Sequence, residues 1–194
     1  MLSALHAEFQ KAHRRHDLAI CLVVPVVVFL WTGRLTSNDP EELANAYSAL
    51  LYALPVLNAI LMPVVMALLA SRLWDIEVKG STTKLLYTLQ SRRSLFAAKA
   101  AFGIGEVVLM VALEMGAAVL LGRTQHYTEA LPVGQLFYLG CCTLAVDVML
   151  YLSELLLMLA WENPLPALCV SIVGALVGPV SYTHLRAHET LSDL

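Results

Sequence analysis

"YSALLYALPVLNAILMPVVMALLASRLW", Tyr47 to Trp74, decides how the chain must be read. Its one charged residue is Arg72, near its end. About 20 apolar residues in a helix suffice to cross the roughly 30 Å hydrocarbon core of a bilayer, and this run is longer. Pro55 and Pro63 predict bends, which membrane helices tolerate, and Asn58 is a polar amide within the run.

The rest of the sequence agrees. Its 194 residues are 59% hydrophobic and 14% charged, with a mean hydropathy of +0.72. Soluble domains average roughly 45–50% apolar and about 25% charged. Four further apolar runs flank the central one: Leu18–Thr32, Ala100–Gly122, Gln135–Trp161, and one that starts at Leu165 and is cut short near Pro179. The first is short and carries Pro25; tilt and snorkelling at its ends extend it. The expectation is an all-α, polytopic transmembrane helix bundle of about five spans. The opening segment is long and polar ahead of the first run, with no clean small-residue cleavage site after it, so that run is expected to be retained as a span.

Lys and Arg placement sets the orientation. Residues 1–17 carry Lys11, Arg14 and Arg15, and residues 74–99 carry Lys79, Lys84, Arg92, Arg93 and Lys99. The intervening connections have only Arg34, set against Asp39, Glu41 and Glu42, and Arg123. Basic and non-basic connections alternate in register with the spans, which predicts a cytoplasmic N-terminus and a cytoplasmic 74–99 connection. Leu2, Leu5 and Phe9 recur at helical spacing, so residues 1–17 read either as a helix lying on the membrane or as a solvated basic leader. On the other side, Asn38 or Asp39 is placed to cap a helix starting at Pro40, with Glu41 and Glu42 in its first turn.

The 74–99 segment, "WDIEVKGSTTKLLYTLQSRRSLFAAK", is longer than a connection needs to be. Gly80 is a helix breaker, Ser81 and Ser91 are candidate caps, and Leu85, Leu86 and Leu89 share one helical face. A short amphipathic helix edged by Lys84, Arg92 and Arg93 suits a protein groove or anionic lipid headgroups. The pattern resembles the first cytoplasmic loop of ABC-2 type transporter permeases, especially those that export or confer immunity to lantibiotics and bacitracin. Glu77, Lys79, Gly80, Ser81, Lys84, Leu85, Leu86, Thr88, Leu89, Ser91, Arg92, Ala98 and Lys99 match it, while Gln90 stands near where relatives usually carry Pro.

The resemblance implies one permease domain over 1–179, with 74–99 as its coupling loop. It implies a separate ABC ATPase subunit contacted through Glu77, Lys79, Gly80, Lys84, Leu85, Leu86, Leu89 and Arg92, and a second permease copy or homologue. It also implies a multi-pass place in the bacterial cell membrane, with about six spans where this chain has about five. No cofactor is expected on this chain, since ATP would bind the partner, and no nucleic-acid partner is expected. The chemistry of the loop alone also fits a membrane scaffold or sensor that binds a regulatory protein or lipid.

Glu106, Glu114, Asp147 and Glu154 lie within apolar runs that hold no Lys or Arg. A charge at mid-membrane costs about 2.5–3.5 kcal/mol on insertion scales. Asp147 and Glu154 share a helical face by their spacing, and Glu106 and Glu114 nearly do. They read either as a polar seam along a translocation path or as protonated acids hydrogen-bonded inside the bundle.

Catalytic signatures are absent from the sequence: no GxxxxGK[ST], HExxH or GxSxG occurs. His6, His13, His16 and His126 are scattered on tails and a connection, and no Cys/His spacing suits zinc, so no metal site is expected. Cys21, Cys141, Cys142 and Cys169 sit in apolar runs, where no disulfide is expected. Gly103 and Gly105 offer small residues for close helix packing. Residues Val180–Leu194 turn abruptly polar and resemble the translation of a sequencing-library adapter; they are expected to be a non-native tail and carry no functional argument.

Overall fold

The computed structural model describes residues 8–10, 17–35, 40–79, 91–161 and 164–192. The described residues form the helices α1 Asp17–Leu35, α2 Pro40–Leu43, α3 Ala46–Lys79, α4 Arg92–Thr124, α5 Val133–Trp161 and α6 Pro164–Ser192. There is no strand among the described residues. In hydrocarbon each backbone N–H and C=O must be satisfied within the segment, and the helix is what does so.

Three helical stretches are long and apolar enough to cross a membrane: Ala46–Trp74, Arg93–Thr124 and Val133–Trp161. Ala19–Arg34 and Leu165–Gly178 are shorter apolar helices. α3 remains helical through Pro55 and Pro63, although each proline lacks the N–H that would meet the carbonyl four residues back and crowds that carbonyl with its ring. The helix α6 outlasts its apolar run and continues through Pro179 to Ser192.

The ends follow local chemistry. Pro40 opens α2 at a position that needs no N–H, with Glu41 and Glu42 in the first turn. Ser91 caps α4 in extended geometry, its hydroxyl accepting from the Ser94 N–H at 3.3 Å. α4 closes with Gln125 N–H on Leu121 O and Tyr127 N–H on Gly122 O, at 2.9 and 3.0 Å. His126 takes a φ of 55°, the left-handed step that lets the last carbonyls find these donors. The two helical ends at Lys79 and Arg92 occupy much of the 74–99 segment expected as loop. Apolar contacts of Trp74, Leu95 and Ala98, all buried, hold its margins in the bundle.

α3 lies at the centre, packed against α5 and α6, while α4 packs against α1 and α5. Its buried face includes Leu54, Met62, Met66, Leu69 and Leu73. Lipid is as apolar as leucine, so close packing and polar contacts hold such helices together. Two glycines let aromatic rings reach neighbouring backbone: Gly103 lies under the Tyr151 ring and Gly122 under the Tyr47 ring. The outer surface, with Leu30, Tyr52, Phe137, Leu156 and Leu176 exposed, is the apolar shell expected against lipid.

The substitution Gly103→Val tests this packing. Any Cβ there meets the Tyr151 side chain, whereas at Gly105 nothing lies within 4 Å. G103V is expected to lose about 1–3 kcal/mol of stability, read as a lower melting temperature in detergent, and G105V to stay near wild type.

Candidate functional site

The basic end of the bundle is organised around Lys99. Its side chain is fully buried in the first turns of α4. The ammonium donates to the carbonyl of Leu73 in α3 at 2.5 Å and to Glu8 Oε1 at 3.5 Å. It also stands 5.8 Å from the centroid of the Trp74 ring, a distance at which a cation is attracted to an aromatic face. From α5, Tyr151 donates its hydroxyl to the Lys99 carbonyl at 3.0 Å. Beside this group Phe9 meets Phe102 edge-on, with ring centroids 6.1 Å apart. One residue therefore ties together both roots of the α3–α4 connection, the segment around Glu8, and α5.

Residues around Glu8 thus contact the bundle through a buried carboxylate as well as an aromatic ring. Phe9, expected on an apolar face, is exposed apart from its Phe102 contact, whereas Glu8 is buried. Hydrophobic spacing could not reveal that Glu8 meets Lys99, because the two are 91 positions apart.

Of the predicted ATPase-contact residues, Gly80, Lys84, Leu85, Leu86 and Leu89 lie outside the described residues. Glu77 and Lys79 fall in the last turns of α3, and Arg92 opens α4.

The four acids fall in three environments. Glu114 of α4 is fully buried and its Oε1 accepts from Asn58 Nδ2 of α3 at 2.8 Å. Asp147 of α5, also buried, lies within electrostatic reach of Glu114. Glu154, farther along α5, accepts from Ser171 Oγ of α6 at 2.5 Å. Glu106 sits on the α1 side of α4, where the Cys21 thiol meets its backbone carbonyl at 3.8 Å. Asp147 thus lies within electrostatic reach of Glu114, while Glu106 lies toward α1 and Glu154 toward α6.

The far end carries features that the sequence did not disclose. A cavity of about 610 Å³ opens between α1, α2 and α3, lined in part by Thr32, Glu41, Glu42, Leu50 and Tyr127. Its wall is fixed by the α4–α5 connection. There Tyr127 packs edge-on to Tyr47 at 5.0 Å, and the Thr128 N–H meets Leu43 O at 3.2 Å. Glu129 accepts from the Ser48 hydroxyl and N–H at 2.6 and 3.0 Å. Partial burial opposes ionisation of Glu129, but the Ser48 bonds overcome it and hold the carboxyl below its ordinary value. The paired glutamates of "PEEL", Glu41 and Glu42, belong to the polar part of the cavity wall.

A family model described as "ABC-2 family transporter protein" matches residues 4–178. No curated protein and no solved structure matches the chain.

Lys99→Met leaves Glu8 buried without its cation, and removing one partner of a buried pair costs about 3–5 kcal/mol. K99M is expected to lower the melting temperature sharply, and adding Glu8→Gln to recover part of the loss. A K99M protein as stable as wild type would show that the junction carries no load.

Proposed function

The chain belongs to the ABC-2 family of transporter proteins, and on that premise we propose that this permease subunit serves a bacterial exporter of peptide antibiotics or other amphipathic molecules. It works with two copies of an ABC ATPase and a second permease copy or homologue in the cell membrane. The ATPase performs the chemistry. This chain supplies the path and the lever.

The lever is the α3–α4 connection on the cytoplasmic face, docked in an ATPase groove through Leu85, Leu86 and Leu89. Lys79, Lys84 and Arg92 steer and fix the register. The observation that carries this reading is the Lys99 junction. A push on the connection acts at the end of α3 and the start of α4, and Lys99 holds those two to each other and to α5. Displacement then reaches three helices at once instead of bending one.

The path runs beside α3. Glu114 and Asp147 supply polar groups at its middle, with Glu106 and Glu154 below them on either flank. The cavity at the far end, with two glutamates and Tyr127 over an apolar floor, suits the cationic portion of a departing amphipath.

Capture of the ATPase tests the proposal. Leu85→Asp and Leu86→Asp are each expected to weaken co-purification at least about tenfold, a loss of about 1.4 kcal/mol, and to abolish stimulation of ATPase turnover in proteoliposomes. Capture that survives both changes contradicts the docking role.

A further inference from the structure

Three polar side chains from three helices lie at one level of the bundle, Asn58 bonded to Glu114 and Asp147 within electrostatic reach of it. Counted from the far ends of their helices, Asn58, Glu114 and Asp147 lie roughly 15–21 Å deep, near the middle of a hydrocarbon core of about 30 Å. Their relative exposures are 6%, 0% and 1%. The Asn58 amide spends a donor on Glu114 Oε1. Asn58 Oδ1, Glu114 Oε2 and Asp147 Oδ2 are buried with no hydrogen-bond partner.

All three unpartnered atoms are oxygens: the Asn58 amide oxygen always accepts, and the two carboxyl oxygens accept when ionised, so the cluster is short of hydrogens. The apolar stretches supply no positive charge: 18–33, 47–71, 100–122, 135–161 and 165–178 contain no Lys or Arg. The other acids on the packed elements look elsewhere. Glu106, two turns along α4, has its backbone carbonyl on the Cys21 thiol of α1 and its carboxyl within electrostatic reach of the same residue, and Glu154, two turns along α5, is bonded to Ser171 of α6. Tyr151 of α5 is committed to the Lys99 carbonyl.

We propose that Asn58, Glu114 and Asp147 form an intramembrane proton-binding site. A proton on Glu114 Oε2 or Asp147 Oδ2 turns an acceptor into a donor and removes a negative charge that the spans cannot neutralise. Asn58 has a carbonyl to accept such a proton's hydrogen bond and an amide to hold the other oxygen of Glu114. The site exchanges its proton when a path beside α3 opens and admits water, because hydration is what makes the ionised form tolerable. The inference rests on burial and donor–acceptor count, and stands whether or not the subunit exports peptides.

Infrared difference spectroscopy of the purified protein in lipid reads it directly. At neutral pH the wild type is expected to show the carbonyl stretch of protonated carboxyls. That signal weakens in Glu114→Gln and in Asp147→Asn, is weakest in the double variant, and in the wild type falls as the medium is made alkaline. A difference spectrum in which the double variant loses only carboxylate bands overturns the proposal. Should the double variant fail to fold, dicyclohexylcarbodiimide applied to the wild type in membranes decides, since it modifies protonated carboxyls in apolar surroundings. A mass-mapped adduct on Glu114 or Asp147 at neutral pH, lost at alkaline pH, supports the site; no adduct on either overturns it.

Discussion

A lysine ammonium buried inside a lipid-embedded bundle has to be satisfied by protein, and at Lys99 that requirement fixes the architecture of the basic end. Water is absent from hydrocarbon and a lone charge there is expensive. The Leu73 carbonyl, the Glu8 carboxylate and the Trp74 ring answer the charge from three directions. Tyr151 holds the backbone of the same residue, and Gly103 leaves room for the tyrosine ring to arrive. The packing and the polar contacts thus depend on each other. A side chain added at the glycine displaces the tyrosine, and removing the lysine takes from the buried glutamate a cation it meets.

Lys99 therefore does two things that pull in different physical directions. As one of the cations around the α3–α4 connection, it helps keep that side of the protein where positive charge is retained. As a buried group, it draws the roots of the connection into the bundle. A connection that merely anchored the chain would gain nothing from this second role. On the proposed role, roots held together in this way let a push on the α3–α4 connection reach α3, α4 and α5 together. The opposite end is built on the same plan with neutral and acidic groups. Tyr47 and Tyr127, Ser48 and Glu129 clasp the α4–α5 connection to the start of α3. Between the two clasps, the Asn58–Glu114 bond is the polar contact at mid-depth.

Much of this was legible in the sequence. Hydropathy showed the three long spans, because the bilayer imposes length and composition on each segment separately. Pro40 with its glutamates, the Ser91 cap and the close-packing Gly103 are local signals, and local signals survive in one dimension. The α3 margin of the 74–99 segment was not legible. Charge marks where a chain meets water, yet α3 runs on as a helix under charged residues as far as Lys79. Nor could the partners of the polar groups be read. Glu8 with Lys99, Asn58 with Glu114 and Glu154 with Ser171 each join different elements. Which faces meet depends on the rotation of each helix about its axis. Spacing placed Asp147 and Glu154 on one face of α5, but it could not say that Asp147 lies near Glu114 of α4 and Glu154 against Ser171 of α6.

The central claim is that the end of the bundle held by Lys99 faces the cytoplasm, where an ATPase can reach the α3–α4 connection. The direct measurement replaces Cys21, Cys141, Cys142 and Cys169, introduces Ser81→Cys, and treats cells with a membrane-impermeant maleimide. The account predicts no labelling in intact cells and full labelling once the cytoplasmic face is exposed in inverted vesicles. Labelling of intact cells from outside would contradict it.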